Sequence, residues 1–146
     1  MHASPYPAPL PRRLAAAFYD LLLMLALWFV AIAALLPFTG GHALDGSSPI
    51  FRLYLLAVSY LFFSWFWTRG GQTLGMRAWR LQVRGPAGTA VDWRQALLRY
   101  CAAWVAWLSV IGILWCLVDP QKRCWQDIFS HTEVVAHPGG KRLQVP

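Results

Sequence analysis

The strongest constraint in this 146-residue chain is the spacing of its charges. Between Asp20 and Asp45 there is no Asp, Glu, Lys or Arg, and Leu21 to Leu36 is almost purely apolar. Two more such blocks follow: Leu53 to Thr68, between Arg52 and Arg69, and Tyr100 to Val118, between Arg99 and Asp119. A helix needs roughly 20 residues, rising about 1.5 Å each, to cross about 30 Å of hydrocarbon. Each block reaches that length with its flanks, which predicts membrane segments over residues 14–36, 50–68 and 100–118. Pro37, Gly40 and Gly41 end the first. Ser109 and Gly112 sit near the centre of the third, where a re-entrant hairpin is the alternative to a simple crossing.

Composition decides between a large core and lipid. Charged residues make up 13% of the chain and apolar ones 58%, against about 25% and 45–50% in a soluble domain. Nine tryptophans fit an aromatic belt at a bilayer interface. The expected fold class is an all-α membrane protein with about three membrane-inserted helices. A cytoplasmic interfacial helix and a small β-hairpin-like element accompany them. The net charge of +7 then reads as topology, and no nucleic-acid binding is expected. Asp20 at the start of the first block argues against a cleaved signal peptide, although Ala31-Ile32-Ala33 resembles a cleavage site. Cys101, Cys116 and Cys124 form no CxxC pair and read as small buried hydrophobes.

Basic residues assign sides. The N-terminal flank carries Arg12 and Arg13, and the loop from Arg69 to Arg99 carries six arginines against Asp92. The positive-inside rule places both in the cytoplasm of a bacterial inner membrane. Three full crossings would put the tail outside, whereas Lys122 and Arg123 directly after the third block argue for inside. Only a re-entrant third block satisfies both constraints. Within the loop, Arg77, Arg80 and Arg84 fall at helical spacing, which predicts an interfacial helix whose basic stripe meets anionic headgroups. Asp92 is an N-cap candidate for a helix from Trp93 to Arg99. Thr132 to Ala136 is β-prone and could pair with Leu81–Val83 if both lie on one side. Residues 1–11, with four prolines and no charge, and residues 137–146 are expected to be flexible tails around one domain over 12–136.

Three pieces, in order, resemble the RDD family of small membrane proteins, named for one arginine and two aspartates. Arg13-Leu14-Ala15-Ala16-Ala17-Phe18-Tyr19-Asp20 is similar to its arginine and first aspartate, seven residues apart. Arg69-Gly70-Gly71-Gln72-Thr73-Leu74-Gly75-Met76-Arg77, followed by Leu81-Gln82-Val83, resembles its GQTLGKR…LRV stretch. Arg123-Cys124-Trp125-Gln126-Asp127 and Thr132-Glu133-Val134-Val135 resemble its closing segment. Met76, Gln126 and Glu133 depart from the family pattern. The resemblance implies a membrane protein that is either transport-related, with sodium/proton exchange credited to some members, or an assembly partner.

The candidate site residues are Arg13, Asp20, Arg123 and Asp127, as an ion-binding or salt-bridge network. Asp20 lies inside an apolar span, where a charge costs roughly 2.5–3.5 kcal/mol at the helix centre and less near an end. Arg13 lies about 10 Å away along the helix axis, so Asp20 is expected to pair with an arginine of the loop or tail. Asp127, with Arg123 one turn before it, takes the same two readings, and with a cytoplasmic tail Asp20, Asp127 and the loop arginines could form one network. His131 reads as a cap or a proton relay. Gly71 and Gly75 read as turn glycines, since no GKS or GKT follows to make a phosphate loop. No nucleophile–base pair, HExxH or paired catalytic carboxylates occur, so neither an enzyme nor a cofactor is expected. Three short segments are too few to enclose a path, so the transport reading needs a homo-oligomer or a partner membrane protein. The competing reading is a non-transporting scaffold using its arginine-rich loop.

Overall fold

The structure, a computed structural model of the chain, describes residues 5–39 and 46–137. It is mostly helical. Helix α1 spans Leu10–Leu35, with Pro11 in its first turn where the missing N–H costs nothing, and passes into a 3-10 turn over Leu36–Thr39. It starts earlier than the expected Leu14, because a proline and two arginines are compatible with the first turns of a helix whose apolar part comes later. Helix α2, Pro49–Gly70, again opens on a proline and closes on Gly71 in the left-handed conformation (φ 64°). Both helices are long and apolar enough to cross a membrane, and only 11% and 17% of their most apolar windows are buried.

The third block divides. Helix α4, Trp93–Ser109, is capped by Asp92, which accepts from the Gln95 N–H at 2.7 Å while Gln95 accepts from the Asp92 N–H at 3.1 Å. It stops at Val110, whose φ of 58° breaks the helix, and α5 (Ile111–Val118) leaves at 94°. Gly112 lets the two arms close: a Cβ there would stand 2.7 Å from Ala106 Cα. The block is therefore a broken span or a re-entrant loop, in place of a straight helix over 100–118.

The short elements gather at one end. Strands β1 (Tyr6–Pro7), β2 (Leu81–Arg84) and β3 (Glu133–Ala136) form an antiparallel sheet in the order β1-β3-β2. Leu81 pairs with Ala136 and Val83 with Val134, as the β-prone tail predicts. Strand β1 corrects the expectation of a flexible tail over 1–11. Tyr6 pairs with Ala136, and the Ala8 N–H donates to Val134 O at 3.0 Å. A proline-rich stretch suits an edge strand, which needs few donors. Residues 1–4 and 138–146 lie outside the described residues.

Two short helices, α3 (Leu74–Ala78) and α6 (Trp125–Phe129), complete this cap. Helix α3 corrects the predicted interfacial helix. Five residues long, it carries Arg77 alone, while Arg80 sits in a turn at φ 56° and Arg84 belongs to β2. The three arginines thus form no helical stripe, because a left-handed residue re-aims the chain into the sheet. The core beneath the cap includes Ala8, Ala16, Trp67, Leu81, Val83, Ala96 and Val134.

Candidate functional site

The start of α1, the end of α2 and the start of α4 meet under the cap, and two buried aspartates lie there. Asp127 is fully buried on α6. Arg13 Nη1 donates to its Oδ2 at 2.5 Å, and Arg99 Nη1 donates to its Oδ1 at 2.5 Å. The Cys124 N–H also donates to Oδ2, at 3.1 Å. Burial pushes the Asp127 carboxyl up, but the guanidiniums of Arg99 and Arg13 overcome it and hold the group below the ordinary carboxylate range.

Arg13 spends its other donors on the two ends of the chain. Nε donates to Ala8 O at 3.0 Å, and Nη2 to Lys122 O at 2.9 Å and Val134 O at 3.3 Å. One side chain therefore ties the N-terminal strand, α1, the turn after α5 and β3. Arg99 adds a bond from Nη1 to Thr132 Oγ1 at 2.8 Å. Beside this cluster, burial and then the Asp127 carboxylate push the Cys124 thiol up to about 12, so it stays neutral.

Asp20 is also buried, two turns beyond Arg13, yet its partners carry no charge. Thr73 Oγ1 donates to Oδ2 at 2.5 Å and the Gly75 N–H donates to Oδ1 at 2.9 Å. The expected arginine partner is absent among the described residues. Thr73 is also the N-cap of α3, accepting from the Met76 N–H at 3.2 Å, so Asp20 anchors the cap of that helix. Gly75 is not a turn glycine. It permits close approach, since a Cβ there would stand 2.3 Å from Ala16 O and 2.8 Å from Asp20 Oδ1. Gly71 is a turn glycine, and a Cβ there would also meet Val83 O at 2.2 Å.

Other expectations are redirected. Arg123 pairs with Asp119 at 3.3 Å instead of with Asp127, because the turn after α5 faces it that way. The Arg123 N–H and guanidinium together lower the Asp119 carboxyl. His131 is exposed in a turn at φ 52°, with its N–H donating to Ile128 O. Cys116 and Cys124 are buried as expected, but Cys101 is exposed on α4. Arg99 is one of the loop arginines expected near Asp127, but the sequence reading does not single it out as a site residue. The available signal was Ala96, Ala103 and Ala106 on one helical face with it, a small-residue stripe that lets another element approach.

Among the described residues no group of three or more His, Cys, Asp or Glu could hold a metal. What the arrangement does chemically is fasten three distant segments through two carboxylates, one ion-paired and one held by neutral donors.

Two long apolar helices, a bent apolar pair and a polar cap built on buried Arg–Asp contacts define a helical protein of the integral-membrane type. More particularly, the chain belongs to the RDD family, whose model matches residues 7–131. No curated protein and no solved structure is significantly similar to it.

Proposed function

We propose that this chain is a non-transporting membrane scaffold or assembly partner of the bacterial inner membrane, with its cap in the cytoplasm. The observation that carries the reading is how Arg13, Asp20 and Asp127 are used. All three are engaged by groups of the same chain, and each bond fastens the cap to the helices. Such an arrangement holds a shape and leaves the cap as the feature offered to others.

The orientation rests on charge. Ten of the thirteen basic residues lie at the cap end, Arg52 lies at the opposite end, and Lys141 and Arg142 are outside the described residues. The re-entrant reading of α4 and α5 places Lys122 and Arg123 on the same side as the loop arginines, which agrees with the positive-inside rule. Arg77, Arg80 and Arg94 are exposed there and would meet anionic headgroups or an acidic partner.

One observation favours a second reading, exchange of a monovalent cation or proton by an oligomer. Asp20 is a buried carboxylate held only by neutral donors, so a proton or small cation is the charge it lacks. The test is sodium- and proton-driven flux in proteoliposomes, comparing the wild type with Asp20→Asn at equal, verified folding. The scaffold reading expects no flux above protein-free liposomes in either. Flux in the wild type that disappears in the variant overturns it and promotes exchange.

A further inference from the structure

Between α1, α2 and α4 lies an open cleft of about 540 Å³, within the range of roughly 300–1,000 Å³ typical of small-molecule sites. It is sorted by depth. From Asp20 to Trp28, Ser59 to Trp67 and Arg99 to Trp107 the chain advances eight positions, about 12 Å of helix. All six residues line it. The far end is apolar, with Trp28, Trp104 and Trp107. The cap end carries Arg13, Asp20, Arg99 and Gln126.

Two donors at that cap end are unspent. Trp67 Nε1 and Arg99 Nε are buried and have no hydrogen-bond partner. Trp67 is 6% exposed and Arg99 3%, and the Arg99 guanidinium stacks over the Trp67 ring at 5.2 Å. Buried donors are almost always satisfied, so each such group calls for an acceptor. Water could supply one, but water does not suit the apolar remainder of the cleft. A helix of a second protein is a poor fit, because its backbone carbonyls are already bonded along its own axis and offer no acceptor to these donors.

We propose that the cleft binds one membrane phospholipid, with an acyl chain along Trp28, Phe63 and Trp104 and its acceptor oxygens at Arg99 Nε and Trp67 Nε1. The site rests on the bilayer placement proposed above and uses none of the Asp127-bonded atoms of Arg99. It would make a lipid part of the helix packing, filling the cleft between α1, α2 and α4.

The test uses the full chain in liposomes of phosphatidylethanolamine and phosphatidylglycerol, doped with a phospholipid carrying a photoreactive group in its acyl chain. Flotation with the liposomes reports membrane residence separately. If the protein does not float, the bilayer placement fails, and this site with it. The expected result is cross-linking concentrated on peptides containing Met24 and Phe63, reduced about tenfold by Ala103→Trp, which fills the cleft from α4. Trp67→Phe removes the indole N–H together with part of the ring, and in protein that still floats and keeps wild-type helicity by circular dichroism it should weaken labelling several-fold. Labelling in the floated protein that is as strong at Phe29, Val30 and Leu61 and unchanged in both variants overturns the proposal, as does displacement of the probe by free fatty acid but not by phospholipid.

Discussion

Asp127 and Asp20 are both buried acids, and their surroundings give them different roles. Asp127 sits between two guanidiniums, so replacing it strands positive charge in a dry site. Asp127→Asn is expected to lower stability by about 3–5 kcal/mol, the usual cost of breaking one side of a buried ion pair. Denaturant unfolding in detergent measures it. Asp20→Asn keeps one acceptor oxygen and strands no cation, so its cost should be smaller, about 1–3 kcal/mol. If the two losses are equal, the distinction between the sites is wrong. Because the folded Asp127 carboxyl lies below its unfolded value of about 3.9, its contribution is complete above that pH. It is lost as pH falls through the lower folded value. Acid titration should therefore show the cap loosening only below about pH 4, and Arg13→Gln should remove much of that dependence.

At the scale of elements, the bend between α4 and α5 is set by Val110 and Gly112. A β-branched residue at positive φ is strained, so Val110→Gly should raise the melting temperature, and Val110→Pro, with φ fixed near −65°, should lower it. Gly112→Ala places a methyl 2.9 Å from Trp125 Cε3 as well as against Ala106, and overpacking of this kind costs about 1–3 kcal/mol. The elements that the chain announces locally were legible. Asp92 stands as an N-cap before an apolar run, and Thr132 to Ala136 is β-prone and lies opposite Leu81–Val83. The arginine stripe was misread because spacing does not record that Arg80 turns left-handed. The Asp20 partners were missed for a different reason. Thr73 and Gly75 lie more than fifty residues away, and nothing in local periodicity says that a glycine backbone N–H can stand where a guanidinium was expected. Strand β1 was hidden by its prolines, which look like a tail until β3 supplies the partner edge.

For the whole molecule, the described surface is dominated by large apolar side chains, including Phe29 at 81% exposure, Leu108 at 80% and Val118 at 76%. Apolar area on that scale is rare on soluble monomers. The architecture puts both ends of the bent pair under the cap, which gives a topological prediction. In a Cys101→Ser background, Thr89→Cys and Gln121→Cys should react with an impermeant thiol reagent from the same side of the membrane, and Gly46→Cys from the other. Reaction of Gln121→Cys with the side that reaches Gly46→Cys would make the third block a full crossing.

The middle position of β3 in the sheet also has a consequence for synthesis. Strand β3 is the last described element to leave the ribosome, yet it lies between β1 and β2 and follows the residue that binds Arg13 and Arg99. Helices α1 to α5 are all made before Arg13, Leu81 and Val83 gain their partners. The cap can therefore close only after translation has passed Ala136, and a nascent chain stalled earlier would display an open sheet edge and two unpaired arginines to the quality-control machinery.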